Sequence, residues 1–229
     1  VMELVQGEGG FTAAPREFFA PLLELARSHD IPVWFDEIQT FGRTDRMFRF
    51  EGLDLGGYAD IVTVGKMTQG CGALWRDAFN PRLGLLSGTF LGSTAAMAVG
   101  TSVIDRLTSG DWYGPDGHNA RLFAAFAARC EAMVAAHGDC FPEVVGPRGV
   151  LRPWGGTGGM MRLTPFGGQK DAIVELVHRF FKGGVLSFFC GHGPFHIRFL
   201  PPIGVLTLEQ FDEVMDIVEA AIIAHGKES

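Results

Sequence analysis

The chain has 229 residues, of which 47% are hydrophobic, and its formal net charge at neutral pH is −7. This length and composition are sufficient for a packed core and exclude an intrinsically disordered chain. The acidic balance, with no local run of Lys or Arg, removes the attraction that nucleic-acid backbones and anionic membrane surfaces require. We therefore predict a small-molecule partner, and neither nucleic-acid nor membrane binding.

The N-terminal residues Val1 to Val5 lack the basic and apolar regions of a signal peptide, and no apolar run approaches the roughly 20 residues of a membrane span. Four widely spaced cysteines include no Cys-x-x-Cys pair. This spacing favours free thiols over a disulfide framework or a zinc site. We expect a cytoplasmic protein.

The first half of the chain alternates between strand and helix patterns. Apolar periodicity predicts strands at 2–5, 31–35 and 61–64 and helices at 15–28 and 94–107. Such alternation predicts an α/β fold with a mainly parallel sheet covered by helices. Ligands of these sheets bind at the carboxyl ends of the strands. Because Asp36 and Lys66 each follow a predicted strand, we expect them at the same edge.

A turn-rich segment at 109–117 separates this half from a second pattern. Beyond it, the sequence predicts helices at 119–137, 169–182 and 208–225 and short strands at 159–163, 185–189 and 196–200. We therefore predict a larger α/β domain over 1–110 and a smaller C-terminal α+β domain over 111–229.

The segment from Asp36 to Thr44 reads Asp-Glu-Ile-Gln-Thr-Phe-Gly-Arg-Thr. It resembles the pattern Asp-Glu-Val/Ile-Gln-Thr-Gly-Phe-Gly-Arg-Thr-Gly of class III aminotransferases of fold type I, with one glycine absent and Asp45 in place of the last. The resemblance implies the three-layer large domain of this fold and pyridoxal 5'-phosphate as cofactor. It places Asp36 at the pyridine nitrogen, Ile38 on the ring face and Gln39 near the ring hydroxyl. Taken alone, an Asp-Glu pair more often caps a turn.

The pair Gly65-Lys66 matches the Gly-Lys pair of the family, whose lysine forms the Schiff base with the cofactor. We expect a lysine at the end of an apolar strand to be desolvated, which favours its neutral, nucleophilic form. Outside this context, a lysine at a strand end is more often simply exposed. The segment 65–72 is more similar to lysine 6-aminotransferases than to ornithine-type members.

Three further positions match the family. Thr89, before a predicted helix, matches a threonine that in family dimers reaches the cofactor phosphate of the other subunit, which implies a homodimer. Glu8 and Arg198 match a glutamate and an arginine that pair, and the arginine can otherwise clamp the α-carboxylate of the substrate through two parallel hydrogen bonds. Read alone, Thr89 belongs to a helix-capping loop, Glu8 is a loop charge and Arg198 anchors the C-terminal domain.

Cys190, His192 and His196 lie close together in the sequence. No carboxylate joins them, so we predict no metal site there and expect the two histidines to line or flank the substrate entrance.

The resemblance spans nearly the whole chain and corresponds to the second half of the usual family length, so the chain looks like a C-terminal portion. It implies transfer of an amino group from an amino acid or ω-amine to a 2-oxo acid such as 2-oxoglutarate, with Lys66 and Asp36 as catalytic residues. Lysine 6-aminotransferases and acetylornithine–ornithine aminotransferases are the most similar branches. The alternatives are an aminomutase or decarboxylase that uses the same cofactor anchors, or a non-catalytic truncated subunit, because the phosphate-binding loop of the family belongs to the other half.

Overall fold

The structure, a computed structural model, describes residues 1–89, 91–146 and 149–228. The α-helices of the described residues are α1 (Arg16–Ser28), α2 (Arg49–Gly52), α3 (Thr94–Ser109), α4 (His118–Ala136), α5 (Lys170–Lys182) and α6 (Leu208–Glu228). The strands are β1 (Val5–Gln6), β2 (Thr12–Ala13), β3 (Trp34–Asp36), β4 (Ile61–Val64), β5 (Gly72–Trp75), β6 (Val144–Gly146), β7 (Gly149–Leu151), β8 (Trp154–Thr157), β9 (Met160–Leu163), β10 (Phe188–Cys190) and β11 (His196–Phe199).

The chain forms two units. The first comprises Val1–Val5 and Ala13–Gly114, and the second comprises Gln6–Thr12 and Pro115–Ser229. The short segment Gln6–Thr12 therefore belongs with residues that follow it by more than one hundred positions.

The first unit is built on a sheet with the strand order β3-β4-β5. β3 and β4 are parallel, whereas β4 and β5 are antiparallel, and Met2 adds a parallel bridge to Phe35. Helix α1 turns its buried residues Phe19 and Leu23 toward this sheet, where they form one apolar cluster with Val33 and Phe35. Burial of each such side chain stabilises the fold by roughly 1.5–3 kcal/mol. This packing holds β3 and β4 in place, and with them the strand ends that Asp36 and Lys66 occupy or follow.

The second unit is built on an antiparallel sheet with the strand order β10-β11-β9-β8. Since side chains alternate between the two faces of a strand, Ile197 and Phe199 point to one face of β11, and His196 and Arg198 to the other. The first face is apolar and packs on α4 and α5, and α6 packs on these two helices. The Phe126 ring of α4, for example, lies 6.3 Å from the Phe199 ring.

The predicted helices are all present, with ends that differ by a few residues, but several strands differ. The strand predicted at 2–5 is present only as a bridge at Met2 and as β1, the strand predicted at 31–35 is confined to Trp34–Asp36, and the strand predicted at 185–189 is shorter and later, at Phe188–Cys190. The sequence does not predict β2, β5, β6, β7 and β8. All four residues of β5 are exposed, so it has no alternation of buried and exposed positions to detect, and β8 contains two adjacent glycines. Within the residues that the structure describes, no helix combines the length and apolarity needed to cross a membrane.

Candidate active site

The end of β3 carries Asp36, which lies opposite Thr63 of β4 in the parallel register. One carboxylate oxygen of Asp36, Oδ1, accepts hydrogen bonds from the Ile38 backbone N–H at 3.0 Å and from the Thr63 hydroxyl at 3.4 Å. The Thr63 hydroxyl accepts a bond from the Trp34 indole N–H at 3.1 Å. These contacts fix the Asp36 carboxylate through one oxygen, and the described residues supply no hydrogen bond to the other oxygen.

Glu37 has a different role, which the sequence did not reveal. Its side chain is fully buried, and it accepts bonds from the backbone N–H groups of Arg49 and Phe50 at 3.1 and 3.0 Å and from the Thr40 hydroxyl. Burial raises the pKa of this carboxyl group above its ordinary value. The period-2 pattern could have identified it, because Glu37 shares the buried face of Phe35 while Asp36 shares the face of Trp34. Glu37 thus anchors the start of α2 to the end of β3.

Lys66 follows β4 at the same edge, because parallel strands present their carboxyl ends together. It begins a short 3-10 turn, Lys66–Thr68, that is closed by the Thr68 hydroxyl, which donates to the carbonyls of Gly65 and Gly70 at 2.7 and 2.6 Å. The Lys66 side chain is exposed in this chain. The desolvation expected for it is therefore not provided by the described residues, because the lysine lies on a turn beyond the strand and not within it.

The turn at Lys66 contacts Ile38, which the family resemblance places on the ring face of the cofactor. A Cβ atom at Gly65 would lie 2.8 Å from Ile38 Cδ1 and 3.2 Å from Cys71 Sγ. A side chain at position 65 would therefore displace the Ile38 methyl group. A cleft of about 390 Å³ borders the same turn and is lined by Val64, Thr68, Cys71 and residues of α3.

Gln39 provides a direct test of whether these residues fit the cofactor. Its side chain is buried, and Oε1 has no hydrogen-bond partner among the described residues. A buried amide oxygen without a donor costs free energy and indicates a missing partner. The hydroxyl of a pyridoxal ring would be such a donor, so the residues at this edge fit the group.

Thr89 lies in the segment before α3, and its side chain is exposed. Its neighbour Phe90, which belongs to the segment 87–94 singled out from the sequence, lies outside the described residues. The structure does not bring Thr89 into a described contact with Asp36 or Lys66, so its phosphate role stays a prediction.

Glu8 and Arg198 form an ion pair in the second unit, through Glu8 Oε1 and Arg198 Nη1. The arginine side chain is 12% exposed and the glutamate side chain 68% exposed, so the arginine is the fixed member of the pair. The Arg198 Nε atom is buried and has no hydrogen-bond partner in the described chain. Its guanidinium therefore retains an unused donor next to the one that Glu8 occupies.

The segment from Cys190 to His196 is a bend between β10 and β11. Burial raises the pKa of the Cys190 thiol to about 11, so the thiol is protonated and is a poor metal ligand at neutral pH. His196 is buried, and its Nδ1 atom lies 2.8 Å from the Thr164 hydroxyl. Burial, followed by the nearby Arg162 charge, lowers the pKa of His196 to about 4. His196 is thus a neutral, buried group, and the expectation that His192 and His196 line or flank the substrate entrance stays a prediction.

Known proteins are similar to this chain over nearly its whole length. Acetylornithine aminotransferase of Agrobacterium fabrum is 31% identical over 228 residues, which cover 96% of this chain and 52% of that protein. Diaminobutyrate–2-oxoglutarate aminotransferase of Rhizobium meliloti is 27% identical and is matched over 100% of this chain and 49% of its own length. The chain therefore spans about half the length of the relatives it matches.

The solved structure of lysine aminotransferase from M. tuberculosis superposes with a TM-score of 0.77 at 26% identity, covering 97% of this chain and 48% of that one. This likeness confirms the fold class expected from the sequence. The sequence pattern of the family described as aminotransferase class-III matches residues 1–222. This match covers nearly the whole chain, which therefore belongs to the class III aminotransferase family.

Proposed function

We propose that this chain supplies the cofactor-holding lysine and the ring-nitrogen carboxylate of a pyridoxal-phosphate-dependent aminotransferase. The observation that carries the proposal is the common edge of β3 and β4, where Asp36 and Lys66 flank the contact between Ile38 and Gly65. The buried, unpartnered Oε1 atom of Gln39 at the same edge gives independent support.

Pyridoxal phosphate, when bound, supplies an aldehyde that reacts with amines and a cationic ring that accepts electrons from the substrate Cα–H bond. Asp36 would keep the ring nitrogen protonated through its unused carboxylate oxygen. Lys66 Nζ would hold the cofactor and, once displaced by the substrate amine, carry the proton that leaves the substrate carbon. Gln39 would accept a hydrogen bond from the ring hydroxyl.

Arg198 would bind the α-carboxylate of a substrate through its guanidinium fork. Glu8 would neutralise Arg198 when no substrate carboxylate lies next to the arginine. This includes the case in which the substrate reacts through an ω-amine, at the end distant from its α-carboxylate. The ion pair between the two side chains and the unused Nε donor of Arg198 support this role.

The relatives narrow the substrate class. Their names refer to acetylornithine, diaminobutyrate and lysine as amino compounds and to 2-oxoglutarate as a partner substrate. We infer that this protein transfers an amino group from an amino acid or ω-amine to a 2-oxo acid, with 2-oxoglutarate as the first acceptor to test.

We further propose that the protein acts as a homodimer in the cytoplasm, with Thr89 reaching the cofactor phosphate of the second subunit. Leu83, Leu85, Leu86 and Leu91, which surround Thr89 in the sequence, are all exposed. Exposed apolar side chains that recur along one segment favour burial against another surface, and we propose the second subunit as that surface. The four cysteines are free, as suits a reducing compartment.

The position of the cofactor lysine can be tested without an activity assay. The chain is incubated with excess pyridoxal phosphate, reduced with borohydride and digested with trypsin. Because a modified Lys66 resists cleavage, the label is expected on the peptide from Phe50 to Arg76. The Lys66→Ala variant should lose this label, and the control Lys182→Ala should retain it.

A label that spreads evenly over the four lysines, or one that survives in Lys66→Ala, would refute the assignment. Product analysis with and without 2-oxoglutarate then separates amino transfer from the aminomutase and decarboxylase alternatives. Only amino transfer needs the oxo acid in stoichiometric amount.

A further inference from the structure

We propose that Thr164 and His196 form a positioning pair that holds the Gln6–Thr12 loop, and so determines how readily Glu8 releases Arg198 to a substrate carboxylate. The proposal rests on the carboxylate-binding role proposed above for Arg198. It adds residues that do not touch the substrate and that act through the position of Glu8.

The His196 ring fills the space left by two glycines. Gly10 has a φ of +92°, and a Cβ atom there would lie 2.7 Å from His196 Cδ2 and 2.9 Å from Nε2. Gly191 has a φ of +87°, and its Cβ atom would lie 3.0 Å from the same Cδ2. One ring therefore contacts both the loop and the bend that faces it.

The loop is also tied to that bend by its backbone. The Gly191 N–H donates to the Glu8 carbonyl at 2.8 Å, and the Gly10 backbone hydrogen-bonds to the Cys190 thiol. Both bonds lie next to the two glycines that the His196 ring contacts. A shift of the ring would therefore change the backbone position of Glu8.

A short polar chain fixes the ring. Arg162 Nη1 donates to the Thr164 hydroxyl oxygen at 3.1 Å, and that oxygen lies 2.8 Å from His196 Nδ1. A guanidinium only donates, so one lone pair of the Thr164 oxygen accepts from it, and we assign the hydroxyl hydrogen to Nδ1. With this assignment His196 is neutral and carries its proton on Nε2. All three side chains are buried, so water competes little for these bonds.

The geometry links this chain of bonds to the Glu8–Arg198 pair. His196 and Arg198 lie two residues apart on one face of β11, and Arg162 is the register partner of Arg198 on β9. Arg198 is largely buried, whereas the Glu8 side chain is mostly exposed. How well Glu8 competes with an incoming carboxylate for Arg198 thus depends on how firmly the Glu8 backbone is held. The His196 ring holds that backbone in place.

The test measures binding of 2-oxoglutarate to the full chain by calorimetry in the unaltered protein and in six variants. Glu8→Gln removes the competitor and should raise the affinity roughly 5-fold or more, the lower end of ordinary coupling between sites. Thr164→Val, which removes the hydroxyl and keeps the shape, should also raise the affinity. The double variant should bind no more tightly than Glu8→Gln alone, because the pair acts only through Glu8. Thr164→Ser keeps the hydroxyl and should bind 2-oxoglutarate with the affinity of the unaltered protein.

Ser187→Ala is the matched control, since Ser187 has a buried hydroxyl without a partner in the described chain, next to β10. It should leave the affinity unchanged. The proposal is overturned if Thr164→Val leaves the affinity unchanged while Glu8→Gln raises it, or if the Thr164→Val effect persists in full in the Glu8→Gln background. Failure of the proposed function has a different signature, which is unchanged binding in Arg198→Met.

Histidine ¹⁵N spectra of the unaltered chain give a second readout that does not depend on the stability of any variant. They should show the His196 proton on Nε2. A proton on Nδ1 would contradict the proposed direction of the Thr164 bond and overturn the proposal.

Discussion

Replacing Glu37 by alanine tests whether the second carboxylate of the Asp-Glu pair is structural. The side chain accepts three hydrogen bonds, from the backbone N–H groups of Arg49 and Phe50 and from the Thr40 hydroxyl. These bonds join the end of β3 to the first turn of α2. The turn that carries Asp36, Ile38 and Gln39 begins at the same point, so its shape depends on them.

The magnitude follows from the three donors that the substitution leaves without a partner. Each buried, unpaired donor costs about 1–3 kcal/mol. Two effects reduce the sum, because water can enter the vacated space and because the folded state no longer holds a buried carboxylate, whose pKa burial has raised. We expect Glu37→Ala to lower the free energy of unfolding by about 3 kcal/mol. Glu37→Gln keeps the volume and one acceptor oxygen but directs an NH₂ group at a donor, and should cost about 1–2 kcal/mol.

The pH dependence has a definite sign. A carboxyl group with a raised pKa in the folded state binds more protons there than in the unfolded chain, so its contribution to stability is full at low pH and declines as pH rises through the raised pKa. The loss in Glu37→Ala should therefore be larger at the acidic end of the range in which the chain stays folded.

Urea unfolding, followed by circular dichroism, measures these differences. The control is Glu17→Ala, at an exposed site in the first turn of α1, which should change stability by less than about 0.5 kcal/mol. A loss below about 1 kcal/mol in Glu37→Ala would show that water replaces the carboxylate without penalty and would refute the structural role.

Two further predictions concern the contact between Gly10 and His196. Gly10→Ala places a Cβ atom 2.7 Å from the His196 ring at a φ of +92°, and should lower the free energy of unfolding by about 2 kcal/mol, measured by thermal unfolding. The control is Gly204→Ala, where a Cβ atom meets nothing within 4 Å. Since the folded pKa of His196 is about 4 against an ordinary value of 6.5, its contribution to stability is full above pH 6.5 and is lost as pH falls toward 4, by up to about 3 kcal/mol. In His196→Asn, the urea midpoint of unfolding should change less between pH 6.5 and pH 4 than it does in the unaltered chain. An equal change in the two proteins would contradict the prediction.

The helices could be predicted from the sequence because their information is local. Helix α5, for example, buries Ile173, Leu176 and Phe180, a spacing of three and four residues that marks one helical face. The ends of β3 and β4 were predictable for the same reason, since each strand is a short apolar run. The sequence also located the edge at which Asp36 and Lys66 lie, through the general rule that parallel strands end together.

The remaining features depend on contacts between distant residues. Nothing in the Gln6–Thr12 loop indicates that it packs on His196, about 190 positions later. Likewise, the exposure of Lys66 depends on what covers a turn beyond the strand end, and no pattern within the strand contains that information.

Three carboxylates of this chain differ in their bonding, and the difference determines what each can do. Glu37 is buried with three bonds, and moving it would leave buried donors unpaired, so it is fixed. Among the described residues, Asp36 is held through Oδ1 alone, which orients the carboxylate and leaves its second oxygen for the ring nitrogen of the proposed cofactor. Glu8 is mostly exposed, so its side chain can turn into water while the largely buried Arg198 stays in place. On the role proposed above for Arg198, a substrate carboxylate would displace Glu8 once the loop beneath Glu8 moves, and the contact between His196 and Gly10 opposes that movement.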